Sequence, residues 1–165
     1  MVKHKHHIKA TCPHCHHPKE DVLHLPTCPH PNVINLWKEA LNNLHTCFLN
    51  ADIHPVIIHF ICGSLTSWTN DPFGEEAPID HLPQNICQTF ENPLQLGWFT
   101  TLSGVLHPSL IQLQQNHYST ITLRCTGSAW GRQLILKLWN IIYKLWKLRC
   151  NTLHDTIIQK NHGED

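Results

Sequence analysis

The chain has 165 residues, of which 41% are apolar and 15% charged. That length sets one domain with at most a small appendage, and the apolar share is enough for a core, which excludes wholesale disorder. Formal charge is zero overall, but residues 1–38 carry +3, residues 39–123 carry −7 with no Lys or Arg, and residues 124–165 carry +4, so a polyanion has only the two ends to bind.

In chain order, residues 1–10 (MVKHKHHIKA) read as a basic, His-rich tail. No apolar segment stands behind it, so a signal peptide is not expected. Residues 11–31 form a compact Cys/His/Pro segment with too few apolar side chains to fold without a metal or a neighbour. Residues 32–165 read as a helical region. Within it, Val33, Leu36, Trp37, Ala40, Leu41, Leu44 and Phe48 recur at helical spacing, which predicts a helix over 32–49 with Asn32 as its N-cap. The apolar stretch after Pro55 is either a helix or a buried strand. A Pro-rich, acidic run at about 69–94 reads as a loop. A helical stretch follows at 108–118, with Ser109 in its first turn. A long helix then runs over 128–159 and is expected to pack against the helix at 32–49. Its apolar stripe, with Trp139 and Trp146, and Trp37 on the earlier helix are assigned to the core. The apolar segment 134–148 is broken by Lys137, Lys144 and Lys147 and is too short to cross a membrane. The expected class is mainly α, in an intracellular setting, nuclear or cytoplasmic. There thiols stay reduced, and cysteines at ligand spacing favour metal over disulfides.

Cys12-Pro-His-Cys15, followed by His24 and Cys28, spells C-x2-C-x8-H-x3-C. Two cysteines three apart can meet one ion from a tight turn, and residues four apart share one face of a helical turn. Cys12, Cys15, His24 and Cys28 make a closed set of three thiolates and one imidazole. Such a set suits a structural Zn2+ better than a catalytic one, because no ligand position is left for water. His30 can replace His24 or Cys28 on spacing alone. Glu20 and Asp21 precede the His24 turn, where acids favour a helix N-terminus. The cysteines at 47, 62, 87, 125 and 150 have no ligand spacing and read as buried thiols. Most of the remaining histidines stand singly and read as surface or core residues.

Lys3, Lys5, Lys9 and Lys19 flank this cluster, with His16 and His17 beside it. Lysines contact phosphate without reading sequence, and imidazoles can stack on unpaired bases, so the segment suits RNA or single-stranded DNA better than duplex. Enzyme signatures are missing. There is no Tyr/Phe-x-Asp-Asp motif, no HExxH, no H-x-E ahead of a P-C-x-x-C, and no glycine-rich phosphate loop.

The residues Cys12, Cys15, Glu20, His24-Leu25, Cys28-Pro29 and Trp37 together resemble the zinc-binding segment that follows the reverse transcriptase in non-LTR (LINE-like) retrotransposons. QLGW at 95–98, Gln115, Tyr118, and the tail carrying Trp146, Arg149, Asn151 and His154 resemble the remainder of such proteins more loosely. Cys150 departs from the expected Arg-Asn pair. The resemblance implies a non-catalytic accessory region holding RNA or single-stranded nucleic acid near a polymerase, with the rest of a reverse transcriptase polypeptide as a partner. It implies neither a membrane nor a small-molecule substrate. A ligand-type cluster beginning at residue 12 also suggests a fragment, the C-terminal piece of a longer reading frame or a decayed copy of one.

Overall fold

The computed structural model describes residues 11–18, 20, 21, 24–70, 90 and 96–162, with side chains up to residue 155. The tail at 1–10 and most of the loop expected at 69–94 lie outside them. Six helices make up the regular structure of the described residues, and no strand occurs among them. They are α1 (His24–Thr27), α2 (Pro31–Asn50), α3 (Pro55–Asn70), α4 (96–102), α5 (Pro108–Thr120) and α6 (Gly127–His162). The mainly α class with an N-terminal Cys/His cluster is as expected. The stretch after Pro55 is a helix, and its apolar run places Ile57, Ile58, Phe60, Ile61 and Leu65 in the core.

α6 packs against α1, α2 and α5, and α2 also packs against α3. The shared core runs along one stripe of α2 (Val33, Trp37, Ala40, Leu44, Phe48) and one of α6 (Leu134, Leu138, Ile141, Leu145). Each set steps by three or four residues, so its side chains stack on a single helix face. Burying one such Leu, Ile or Phe is worth about 1.5–3 kcal/mol. Phe90, inside the region read as loop, is fully buried and stacks on Phe60 at 4.3 Å between ring centroids.

Three long helices start in one way. His30, His54 and His107 each precede a proline, and each Nδ1 accepts the backbone N–H two residues on, from Asn32 (3.3 Å), Val56 (3.2 Å) and Ser109 (3.2 Å). Proline forces the preceding residue out of the helical region and is itself suited to the first helical position. The histidine is therefore left extended, at φ −67° and ψ 136° for His30, with its ring over the free N–H groups. The N-cap of α2 is thus His30 and not Asn32, which lies inside the first turn. These histidines are neither idle surface residues nor core residues.

α5 joins the rest through two glutamines. Gln114, fully buried, accepts from His54 N (2.9 Å) and donates to Asp52 O (3.3 Å), which holds the α2–α3 turn. Gln115 accepts from Gly127 N at 2.9 Å, at the start of α6. A Cβ at Gly127 would stand 2.2 Å from the carbonyl oxygen of Ile111, so glycine is what permits the close approach of α5 and α6.

The aromatic residues of α6 correct the sequence reading. Trp37 and Trp130 are buried, but Trp139 and Trp146 are 48% and 51% exposed. They project away from the Leu134–Leu138–Ile141–Leu145 stripe, and Trp139 lies beside the end of α4, where its Nε1 donates to Leu102 O. The cysteines beyond the cluster also differ from expectation: Cys47, Cys62 and Cys150 are half-buried and Cys125 is exposed. Cys47 Sγ accepts from Lys137 Nζ at 3.3 Å. Cys87 lies outside the described residues. No described helix is long and apolar enough to cross a membrane.

Two outcomes are expected. Burial, reinforced by the neighbouring His117, lowers the His54 pKa below its ordinary 6.5. The unfolded chain therefore binds more protons than the folded one as pH falls below about 6.5, so His54 contributes stability above that pH and loses it on acidification. His54→Asn, which keeps a cap that does not titrate, should flatten this part of the pH dependence of the urea midpoint between pH 7 and 5. Gly127→Ala should lower stability by about 2 kcal/mol or more in the same assay, because backbone must move to clear the new methyl.

Candidate metal centre

The segment 11–18 is a tight loop closed by its own backbone. Cys12 N donates to His17 O and His16 N to Cys12 O, both at 3.0 Å, with His16 in the left-handed region at φ 61°. This turn brings the Cys12 and Cys15 sulfurs to one side. α1 and the residue that follows it supply the other pair, His24 and Cys28. The start of α1 is held by Asp21, whose Oδ1 accepts from His24 N at 2.9 Å, as expected for an acid at a helix N-terminus. One helical turn separates His24 from Cys28.

The donor atoms of Cys12, Cys15, His24 and Cys28 all lie within 4.8 Å of one another and could hold a metal ion. Cys12 Sγ and Cys28 Sγ are 3.8 Å apart, and Cys15 Sγ lies 3.2 Å from His24 Nε2. A tetrahedron with metal–sulfur bonds of about 2.3 Å has edges of about 3.8 Å, and slightly shorter ones to nitrogen. These two contacts are close to such edges and the remaining donor pairs lie within 4.8 Å, so the four residues could close on one ion with a small inward shift. His30, the alternative ligand, is occupied as the N-cap of α2, and its ring lies 5.0 Å from that of His14.

Burial drives the chemistry of the donors. It pushes the Cys28 thiol up to about 12 and raises that of Cys12. It also lowers the pKa of His24, with His17 adding to the effect, so the imidazole is held neutral, as a ligand must be. A bound cation would displace the thiol protons. His17 stacks on His24 at 4.8 Å between centroids and fixes its ring plane.

The cluster is built into the helical body. Cys12 and Cys28 belong to the main core. Trp37 Nε1 of α2 donates to Pro26 O at 2.6 Å. Glu20 forms an ion pair with Arg149 of α6, and the Glu20 side chain is only 7% exposed. His14, also buried, approaches Thr152 Oγ1 of α6 at 3.4 Å through Nδ1. Glu20 Oε1 and His14 Nε2 are buried without a partner. Sequence reasoning placed Glu20 and Arg149 in separate parts of the resemblance and did not join them. Their contact spans 129 positions, and no local pattern announces it.

Of the residues expected to touch nucleic acid, His16 and His17 are exposed, and His17 also serves the cluster. Lys3, Lys5, Lys9 and Lys19 lie outside the described residues. No family model, curated protein or solved structure matches this chain.

Removing Arg149 would leave the Glu20 carboxylate buried beside the cluster with no counter-charge. Arg149→Met should therefore lower stability by about 3 kcal/mol by urea denaturation. Arg149→Met with Glu20→Gln should recover part of that loss, since the stranded charge is then gone.

Proposed function

We propose that the chain is a zinc-stapled helical accessory region of a retrotransposon-type reverse transcriptase, non-catalytic in itself, which contacts RNA or single-stranded nucleic acid. The observation that carries this reading is the cluster of Cys12, Cys15, His24 and Cys28, whose donor atoms lie within 4.8 Å of one another, with the Cys12 and Cys28 sulfurs 3.8 Å apart. Three thiolates with one imidazole favour zinc over harder cations, and a full ligand set gives zinc a structural task. The zinc would neutralise thiolates that burial otherwise disfavours, and would hold the 11–18 turn and α1 in place. Glu20 and Arg149, both part of the residues that carry the resemblance, meet in one ion pair, which supports reading those residues as a unit.

Nucleic-acid contact rests on charge. Lys3, Lys5, Lys9 and Lys19 flank the cluster in the sequence, and the exposed His16 and His17 lie beside it. A second reading is a structural or protein-interaction module in which zinc only maintains the fold. Its support is the inclusion of Cys12 and Cys28 in the shared core.

The purified chain should carry one zinc by elemental analysis, with three of its eight thiols protected from titration, and Cys15→Ser should lose both. Four lysine contacts to single-stranded RNA should weaken affinity on the order of 50-fold between 50 and 200 mM salt. Replacing Lys3, Lys5, Lys9 and Lys19 with Gln should abolish that dependence and leave the zinc content intact. Intact zinc with no RNA affinity at any salt would select the second reading.

A further inference from the structure

α6 carries a second apolar face. Leu136, Trp139, Tyr143 and Trp146 follow one another at intervals of three, four and three residues and are 47%, 48%, 61% and 51% exposed. Cys150 and Leu153 continue the same spacing and are half-buried. This alternation is that of a coiled-coil seam, where two helices meet through knobs repeating every seven residues. The core stripe at 134, 138, 141 and 145 occupies a different face of the helix, so the seam lies outside the core, with Trp139 bonded at its edge to Leu102 of α4.

We propose that this seam is the interface for a second copy of the same chain, the two α6 helices running antiparallel about a two-fold axis between Trp139 and Tyr143. The spacing is self-complementary about that point. Leu136 of one copy falls opposite Trp146 of the other, Trp139 opposite Tyr143, and Arg132 opposite Cys150. Each large ring therefore meets a different side chain and not its own copy. Beside Leu136, a groove of about 490 Å³ bordered by Gly104, Leu106, Ile111 and Gly131 is open to receive the opposing Trp146.

Charge and area agree with this occupant. One flank of the seam carries Gln133, Asn140 and Lys147, and the other Ile135 and Ile142 with Arg149, which Glu20 already neutralises. The antiparallel pairing sets Lys147 near Gln133, so no like charges face each other. Lys144 and Lys147 border a cleft that also contains Glu39 of α2, on the side of α6 away from the seam rings. Large side chains bury 150–250 Å² each. The half-exposed seam with the neighbouring exposed Val105 thus offers on the order of 500 Å² per copy, or roughly 1,000 Å² for the pair, the size at which a specific interface begins. The anchors are already held in place. Trp139 Nε1 donates to Leu102 O at 2.8 Å, and the Arg149 guanidinium lies 5.2 Å from the centre of the Trp146 ring. Little side-chain freedom remains to be lost on association.

Sedimentation equilibrium of the metal-loaded full chain, at about 5–100 μM as suits an interface of this size, tests the proposal. The expected result is a dimer of the 19.1 kDa chain that dissociates at least tenfold more readily in Tyr143→Lys, and no more readily in Tyr143→Phe. Tyr143 is exposed, so Tyr143→Lys should keep the far-UV spectrum of the parent. Leu136→Lys repeats the test at a second seam position. Oxidised Arg132→Cys should give a covalent dimer joined between positions 132 and 150, located by peptide mass mapping. A link between the two introduced cysteines would overturn the antiparallel register. A monomer across the whole range would overturn the interface. A monomer whose tryptophan fluorescence a uridine oligonucleotide quenches would assign the face to nucleic acid instead.

Discussion

One long helix has to satisfy more surface than its neighbours can cover, and the architecture follows from that constraint. α6 has 36 residues, about 54 Å at 1.5 Å per residue. α5 covers its N-terminal part, where Gly127 and Gly131 let the two backbones close in. α2 lies along its middle, and the Cys/His cluster reaches it at Arg149 and Thr152. Each of these partners is shorter than α6, and all of them lie on the side marked by Leu134, Leu138, Ile141 and Leu145. The opposite side keeps Trp139, Tyr143 and Trp146 half exposed or more, with the end of α4 beside Trp139.

The cluster sits where it can act on that helix. A segment such as 11–18 has too little apolar surface to hold a shape, so its order comes from elsewhere. Backbone hydrogen bonds close the turn, the buried thiols join the main core, and a buried ion pair ties the acid after the turn to α6. A metal ion would add four bonds to a frame already brought close to the right spacing. Losing the ion would therefore be felt in the helical body as well as in the turn.

Histidine carries more of this structure than its scattered placement suggests. His24 belongs to the cluster, His17 backs it, and His30, His54 and His107 open three helices ahead of a proline. The last role depends on a ring nitrogen accepting a backbone N–H, and at His54, whose pKa burial lowers, it makes the start of α3 sensitive to acid. The His-Pro pairs were visible in the chain. Their meaning was not, because the usual capping residues are Ser, Thr, Asp and Asn.

Local chemistry was legible from the residues themselves. The spacing of Cys12, Cys15, His24 and Cys28 announced the cluster, and the periods of α2, α5 and α6 announced their helices, because ligand geometry and helical repeat both act over a few residues. The tertiary arrangement settled what depends on distant partners. It brought His24 and Cys28 to the Cys12–Cys15 turn and set His30 as the cap of α2, made the stretch after Pro55 a helix, joined Glu20 to Arg149, and left Trp139 and Trp146 about half exposed. A helix with two apolar faces does not say which of them its neighbours will cover. That choice is made by the shapes and lengths of elements far away in the chain.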